Sequence, residues 1–248
     1  MSSTALQTSG LDKNFGALRI ARNINFELQR GARHALIGPN GAGKTTLLNL
    51  ITGVLRPSAG RIQLLGTDIT GMGQSKRTRL GLVRTFQINQ LFKGLSVLDN
   101  VCLAIAERTG VASSLLVPLG HHHQVIDEAM HLLHMLRLDG DAMQLVNQLP
   151  YGRQRLLEIV IALGQNPQVL LLDEPAAGVP SAESQLILEV IDSLSDDIAI
   201  LIIEHDMEIV FRFAKRITVM MTGAILTEGT PNEIAADDRV RAIYLGDY

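Results

Sequence analysis

The sequence contains no tryptophan and a single cysteine, Cys102, among its 248 residues. One cysteine excludes an internal disulfide, and the apolar neighbours Val101 and Leu103 predict a buried core thiol. No apolar run approaches the roughly 20 residues that a membrane-spanning helix needs. The segment from Met1 to Gly10 lacks the apolar core of a signal peptide, so we expect a frayed tail there. These absences favour a soluble, cytoplasmic protein, unless a partner holds it at a membrane.

Charge is also scarce. Charged residues make up 19% of the chain, the net charge is −3, and no basic block is longer than the segment Lys76 to Arg79. A broad basic face for nucleic acid is therefore not expected. The apolar content of 46% indicates a globular chain that is long enough to bury a sizeable core.

A glycine-rich stretch directly after the short apolar run Ala35 to Ile37 is the most informative feature that is present. It fits the eight-residue phosphate-binding pattern G-x-x-x-x-G-K-[ST] with Gly38, Pro39, Asn40, Gly41, Ala42, Gly43, Lys44 and Thr45, and Thr46 follows directly. Glycines let the backbone approach an anion and turn its N–H groups inward. Lys44 can reach the β- and γ-phosphates of a nucleotide, and the Thr45 hydroxyl can bind Mg²⁺. An ordinary glycine turn before a helix is the alternative, but the strand–loop–helix context disfavours it.

The pattern of apolar residues changes along the chain. Residues 11–30 alternate in a way that predicts antiparallel strands, whereas residues 91–163 have helical spacing, with Ser96 as a helix cap. After Pro167, continuous apolar runs alternate with helical segments, which predicts a buried parallel sheet. We therefore expect an α/β fold whose core comprises residues 1–90 and 164–248, with an inserted helical subdomain at 91–163.

Three of the predicted strands end in residues that suit nucleotide chemistry. The glycine loop follows one strand, Asp173 and Glu174 follow the second, and His205 follows the third. Ligands bind at the carboxyl ends of parallel strands, so we expect these groups to meet at one nucleotide. Asp173 would hold Mg²⁺ through water, Glu174 would accept a proton from the attacking water, and His205 would hydrogen-bond the γ-phosphate. Gln87, also at a strand end, would orient the water or contact the metal. Alone, the pair Asp173–Glu174 also fits a solvated strand end, and a lone histidine after a strand is usually structural, so the role of His205 depends on the other groups.

Two further features stay open at this point. Phe15, beside Gly16, is either a core aromatic or an exposed stacking surface. Histidines at positions 121–123, with His131 and His134 nearby, suggest a metal site, but no cysteine or carboxylate completes a recognisable ligand set. We favour a solvated loop and helix face for these histidines.

Taken in order, these motifs resemble the ATP-binding subunit of an ABC transporter over nearly the whole chain, which implies a P-loop NTPase core of the RecA type with an antiparallel β subdomain. The loop from Gly38 to Thr46 resembles Walker A, and Val169 to Glu174 resembles Walker B with the catalytic glutamate. Gln87 matches the Q-loop glutamine and His205 the switch histidine. Phe15 falls where the family places an aromatic residue that stacks on adenine.

The signature segment departs from the family pattern. Leu149 to Gln154 stands where the family usually has L-S-G-G-Q; Pro150, Tyr151 and Arg153 are replacements, while Gly152 is kept. The resemblance implies that Pro150, Tyr151 and Gly152 face the ATP bound to a partner subunit. Proline removes a hydroxyl and a backbone N–H, and Pro180 replaces the D-loop aspartate. We hypothesise a weakened signature whose function needs a non-identical sibling subunit.

Within the family, the chain looks most like the ATPases of branched-chain amino acid importers. Related uptake systems for urea, amides or aromatic acids share many of the same sequence segments. The supporting segments are Arg84 to Gln87, Leu91–Phe92, Ala176 to Gly178, Ile203 to Met207 and Tyr244 to Gly246. The resemblance implies ATP and Mg²⁺ as cofactors, a second ATPase subunit in a homo- or heterodimer, transmembrane permease subunits and, indirectly, a solute-binding protein. It also implies a place on the inner face of the membrane and no nucleic acid partner.

Three alternatives compete with this interpretation. A GTPase should carry an N-K-x-D motif, which is absent, and a kinase would need a lid and an acceptor site. A non-transport ABC protein acting on nucleic acid would be expected to show long coiled coils or basic faces. A regulatory module that holds ATP without hydrolysing it is disfavoured by Glu174.

Overall fold

The computed structural model of the protein describes residues 3–85, 91–111 and 122–245. The chain divides into two compact units. We call residues 1–84, 168–174 and 195–248 the α/β unit, and residues 85–167 and 175–194 the helical unit. The α/β class predicted from the sequence is confirmed, and none of the helices in the described ranges is long and apolar enough to cross a membrane.

Two sheets build the α/β unit. Its strands are β1 (Thr4–Phe15), β2 (Leu18–Gln29), β3 (Arg33–Ile37), β4 (Ala59–Leu64), β5 (Thr67–Asp68), β6 (Leu82–Arg84), β7 (Val169–Asp173), β8 (Ala199–Ile203), β9 (Arg216–Met221) and β10 (Ala224–Gly229). One sheet has the order β2-β1-β4-β5 and is antiparallel throughout. The other has the order β10-β9-β3-β8-β7-β6 and is parallel except for the hairpin that joins β9 to β10.

The first ten residues correct one prediction. We expected a frayed tail, but Thr4 to Gly10 form the first part of β1 and bond β2 on one side and β4 on the other. Ala5 and Leu6 are buried. The short apolar pattern was too weak to predict this strand, because its stability depends on pairing with β4, more than fifty residues downstream.

The parallel strands occupy the interior of the α/β unit. Every residue of β3, β7 and β8 is buried, as expected for parallel strands covered on both faces. The apolar core of this unit draws on both sheets and on the helix after β3, with members including Leu6, Leu28, Leu48, Ile51, Ile62, Leu171 and Leu201. Strands β9 and β10 form an antiparallel hairpin that turns at Thr222 and Gly223.

The helices, in chain order, are α1 (Lys44–Thr52), α2 (Gln74–Arg79), α3 (Val97–Thr109), α4 (His123–Met135), α5 (Tyr151–Gly164), α6 (Ser181–Asp192), α7 (Met207–Phe213), α8 (Pro231–Ala236) and α9 (Asp238–Leu245). The buried Arg77 of α2 donates to the carbonyls of Leu50 (2.7 Å) and Ile51 (2.5 Å) at the end of α1. These bonds satisfy carbonyls that a helix end leaves without partners, and they fix the helix that follows the glycine loop.

In the helical unit, α3 packs against α4 and α5, and α5 also packs against α4 and α6. Ser96 caps α3 as predicted, in a capping box with Asp99. Cys102 is buried, also as predicted, and burial raises the pKa of its thiol to about 11. Helix α4 buries one apolar stripe, which includes Val125, Ala129 and Leu133.

Candidate nucleotide site

The glycine loop joins β3 to α1 and has a backbone that few other residues could adopt. Gly38 has φ +152°, and a Cβ atom there would lie 2.3 Å from the carbonyl oxygen of Met220 on β9. Gly43 has φ +102°. The loop therefore needs glycine at Gly38 both for its backbone angle and for the close approach of β9.

Helix α1 begins without a side-chain cap. Gly43 occupies the N-cap position in a left-handed conformation, and no acidic residue lies in the first turn. Thr45 is exposed in that turn and Thr46 is half-buried. The N–H groups of the first turn and the positive end of the helix dipole thus suit an anion.

Lys44 folds back over the loop in this structure. Its Nζ donates to the carbonyl oxygens of Gly38 (2.5 Å) and Pro39 (3.2 Å). Partial burial lowers the pKa of Lys44, while the charges of Glu174 and Asp173 oppose that shift. The lysine therefore lies within the electrostatic reach of both carboxylates, and its backbone partners are groups that a phosphate oxygen could replace.

Asp173 is the last residue of β7, and its side chain is only 3% exposed. Its Oδ2 atom lies 2.5 Å from Nη2 of Arg84, the last residue of β6. The same guanidinium donates through Nη1 to Oδ1 of Asn49 on α1, at 2.7 Å. The buried carboxylate is thus paired and hydrogen-bonded, which its burial requires.

Glu174 and His205 follow β7 and β8 and lie near each other. Glu174 has φ +47°, an uncommon angle for a non-glycine residue, and its N–H donates to the carbonyl of Ile203 at 2.9 Å. Its Oε1 atom is 3.8 Å from Nδ1 of His205, which is too long for a hydrogen bond. The side chain of His205 is 67% exposed and that of Glu174 is 27% exposed, so both groups can reach a bound molecule.

The strand order explains why these residues meet. β3 pairs in parallel with β8, and β8 pairs in parallel with β7. The glycine loop, His205 and the pair Asp173–Glu174 therefore follow the carboxyl ends of three adjacent strands, which is where open α/β sheets bind ligands.

Phe15 and Gln87 are the other two residues predicted for the nucleotide site. Phe15 is exposed at the end of β1, and the ammonium of Lys13 lies 4.8 Å from its ring centroid. It is not a core aromatic, so the alternative of an exposed stacking surface remains. Gln87 lies outside the described residues.

The signature residues belong to the helical unit. Pro150 is the N-cap residue of α5 and offers no side-chain cap, and Tyr151 is exposed beneath the guanidinium of Arg155. A Cβ atom on Gly152 would lie 1.8 Å from Oε2 of Glu183 on α6. Gly152 is thus fixed by packing within its own unit. Arg153, which replaces the usual glutamine, is ion-paired with Asp141.

The histidine cluster shows no metal site among the residues that the structure describes. His134 pairs with Asp139 instead, with 3.2 Å between Nδ1 and Oδ2. His121 lies outside the described ranges.

Sequence reasoning gave no role to Arg84 or Asn49. Arg84 contributes only to the resemblance to the importer ATPases. A basic residue at the end of one strand, next to a strand that ends in an acidic residue, is a signal that could have identified the pair. Asn49 carried no signal, because a polar residue on a helix after the loop looks like any solvated position.

The comparisons with known proteins agree with this geometry. A family model described as ABC transporter matches residues 21–177, and one described as branched-chain amino acid ATP-binding cassette transporter matches residues 224–248. The high-affinity branched-chain amino acid transport ATP-binding protein LivG of Salmonella typhimurium is 38% identical over 254 residues, covering 100% of both chains. The corresponding protein BraF of Pseudomonas aeruginosa is 36% identical, again over 100% of both chains.

A solved structure gives the same result. The ADP conformation of an ATP-binding cassette of an ABC transporter superposes with a TM-score of 0.86 at 31% identity, covering 99% of this chain and 100% of that chain. The predicted P-loop NTPase fold is thereby confirmed. This chain belongs to the ABC transporter family, as one of its ATP-binding ATPase subunits.

Proposed function

We propose that this chain hydrolyses ATP to power the import of branched-chain amino acids, or of a related small solute, through a membrane transporter. The observation that carries the proposal is the meeting of Lys44, Asp173, Glu174 and His205 at three adjacent strand ends, in a chain similar to such subunits over its full length. The non-transport alternative has no comparable support.

Each residue at the strand ends has a chemical task. The loop N–H groups from Gly38 to Thr46 hold the phosphates, and Lys44 leaves its carbonyl partners to neutralise the β- and γ-phosphates. Glu174 accepts the proton of the attacking water, while His205 donates to the γ-phosphate. Phe15, exposed at its strand end, offers a face for the adenine ring.

The residues present fit Mg²⁺. The exposed Thr45 hydroxyl and the buried Asp173 carboxylate are hard oxygen ligands, and Arg84 engages Oδ2 of that carboxylate, which leaves the other oxygen available. Gln87 is the third proposed ligand. When bound, the ion supplies positive charge to the phosphate oxygens of ATP.

The signature residues Pro150, Tyr151 and Gly152 act on ATP held by a second ATPase subunit. Since Pro150 provides neither a hydroxyl nor an N–H, this subunit contributes a weakened signature, and a non-identical sibling makes the two sites unequal. The helical subdomain expected at 91–163, inserted in a core of 1–90 and 164–248, carries the signature in this proposal, and the helical unit of residues 85–167 and 175–194 contains this segment.

Permease subunits bind the helical unit. The segments around Leu95 and Val146 run side by side, with the Val146 N–H donating to the Leu95 carbonyl at 3.1 Å. Four large apolar side chains on these segments are exposed, namely Phe92, Leu95, Met143 and Leu145. Exposed apolar side chains that gather in this way mark interaction surfaces. Such docking holds the chain on the inner face of the membrane, where a solute-binding protein acts only indirectly.

The test is reconstitution in vesicles with the permease subunits of a branched-chain amino acid importer, with radiolabelled leucine, phenylalanine or urea outside the vesicles and this chain inside. We expect uptake that requires ATP and Mg²⁺ on the side of this chain. Met143→Glu, at a side chain 80% exposed, should reduce binding to the permeases by about 10-fold. Met135→Glu, on α4 of the same unit and 40% exposed, is the matched control and should bind normally.

ATP hydrolysis without uptake of any solute would overturn the transport assignment. Salt-sensitive binding to nucleic acid in the same preparation would support the non-transport alternative. If Met135→Glu and Met143→Glu weaken permease binding equally, the proposed docking surface is wrong.

A further inference from the structure

Arg84 connects three elements of the α/β unit at the edge where the nucleotide site lies. It ends β6, its side chain is only 8% exposed, and its guanidinium contacts Asp173 at the end of β7 through Nη2. Through Nη1 it donates to the side-chain oxygen of Asn49 on α1. A guanidinium is planar and rigid, so two bonds from its two terminal nitrogens fix both partners relative to each other.

The Asn49 contact carries this bridge to the proposed metal ligands. Asn49 lies four residues after Thr45 on α1, and residues at this spacing occupy the same face of a helix. Arg84 therefore hydrogen-bonds α1 one turn after Thr45. Its other terminal nitrogen contacts the Asp173 carboxylate, so two of the three proposed protein ligands of Mg²⁺, Asp173 and Thr45, are connected through Arg84 and Asn49.

We propose that Arg84 is a positioning residue that sets the separation between the Asp173 carboxylate and the Thr45 hydroxyl for Mg²⁺ binding. The inference rests on the proposed function, because that assigns Asp173 and Thr45 to the metal. Arg84 touches neither nucleotide nor metal and acts through Asp173 and Asn49. By binding Oδ2 it holds the carboxylate in one orientation and leaves the second oxygen for the ion or its water shell.

A purely structural ion pair would have different consequences. Removing one partner of a buried pair destabilises the fold and would weaken nucleotide binding with or without metal. A positioning role predicts a selective defect in the metal-dependent part of binding. The two roles are therefore separated by measuring ATP affinity in EDTA and again across a Mg²⁺ titration.

The test uses the full chain with Arg84→Met, Arg84→Lys and Asn49→Ala. For Arg84→Met we expect ATP affinity in EDTA within about 2-fold of the wild type, while the Mg²⁺ concentration for half-maximal enhancement of ATP binding rises roughly 10- to 100-fold. Arg84→Lys keeps the charge but loses the planar guanidinium with its two terminal nitrogens. We expect its half-maximal Mg²⁺ concentration to lie between those of the wild type and Arg84→Met. Asn49→Ala, which cuts the bridge to α1 and keeps the ion pair, should give a smaller rise.

Arg33→Met is the matched control. Arg33 is equally buried, lies at the opposite end of its strand β3, and donates to the carbonyl of Ile198 at 2.9 Å. We expect it to lower the thermal unfolding temperature without changing the Mg²⁺ titration. If Arg84→Met does not fold, Arg84→Lys and Asn49→Ala decide the question.

The inference is overturned if the Arg84 variants lose ATP affinity equally with and without Mg²⁺, or if their Mg²⁺ titrations match the wild type. The proposed function fails in a different way. In that case the wild type itself shows no Mg²⁺ enhancement, or Asp173→Asn leaves the enhancement intact. A wild-type response that Asp173→Asn abolishes and Arg84→Met preserves would remove only the inference about Arg84.

Discussion

Helices α1 and α5 both begin without a side-chain cap, but the chain before them differs. Before α1, Gly38 and Gly43 have positive φ angles, and Gly43 is itself the N-cap residue. Before α5, Pro150 has an ordinary φ of −54° and brings no N–H donor. The glycine loop is therefore shaped to surround an anion, whereas the start of α5 offers only its helix terminus.

This difference separates what the chain can do alone from what it can do only with another subunit. The α/β unit holds the loop, the carboxylates and the histidine at adjacent strand ends. The helical unit holds a signature segment that, by the proposed function, serves a nucleotide bound elsewhere. Variants in the α/β unit should therefore change nucleotide binding and chemistry in this chain, and variants at the start of α5 should matter only in the assembled complex.

Glu174→Gln should give the largest effect, and this effect should be confined to the rate of ATP hydrolysis. The amide keeps the size of the side chain but accepts a proton poorly, so we expect kcat for ATP hydrolysis to fall roughly 10²- to 10⁴-fold. ATP affinity should stay within about 2-fold of the wild type because Glu174 is not proposed to hold the phosphates. Steady-state hydrolysis and equilibrium ATP binding measure the two quantities. A hydrolysis rate close to that of the wild type would remove Glu174 from its role.

His34 makes the stability of the α/β unit depend on pH. His34 is buried on β3 with Nε2 at 2.8 Å from Oγ1 of Thr218, and burial lowers its pKa to about 4, with Glu228 opposing the shift. As the pH falls below about 6.5, His34 therefore becomes protonated in the unfolded state while it is still neutral in the folded state. Stability should drop by up to about 3 kcal/mol between pH 6.5 and 4.

Urea unfolding at several pH values tests this expectation. His34→Gln, whose amide can still bond Thr218, should flatten the acid slope. An identical slope in the wild type and in His34→Gln would mean that other groups control the acid response.

Gly38→Ala tests whether the backbone of the loop builds the anion site. The new Cβ would meet the Met220 carbonyl at 2.3 Å in a backbone region unfavourable to alanine. We expect a cost of about 2 kcal/mol, which corresponds to roughly 30-fold weaker ATP binding. Gly16→Ala is the control, since Gly16 also has a positive φ but open space around it. Equal ATP affinities for both variants would contradict the account of the loop.

Pro150→Ser should give the smallest effect and only in the complex with the sibling ATPase subunit. The hydroxyl and N–H restored at the start of α5 add donors for the partner's phosphate, so we expect ATP affinity or hydrolysis to rise by about 10-fold. ATP binding by the isolated chain should not change. Unchanged activity of the assembled complex would show that Pro150 does not weaken the signature.

The sequence predicted those parts of the fold and site that local patterns specify. The Ser96 cap and the buried strand β7 each follow from a few neighbouring residues. The nucleotide site could be assigned to the strand ends, because the alternation of strands and helices predicts a parallel sheet and parallel sheets bind ligands at the carboxyl ends of their strands.

The missed features depend on contacts between distant segments. Strand β1 begins at Thr4 because β4 pairs with it, and Arg84 reaches Asp173 across 89 positions of sequence. Glu183 fills the space at Gly152 from another helix. No local pattern encodes such pairs, since each residue alone resembles an ordinary polar position.

The most direct test of the account is a structure of the Glu174→Gln chain with ATP and Mg²⁺. The account predicts one triphosphate in the loop, with the Thr45 hydroxyl about 2.1 Å from the ion. Asp173 should lie in the metal's ligand or water shell, and residues 174 and 205 beside the γ-phosphate. A triphosphate bound in the loop while Asp173 and residue 174 face away from it would contradict the central claim.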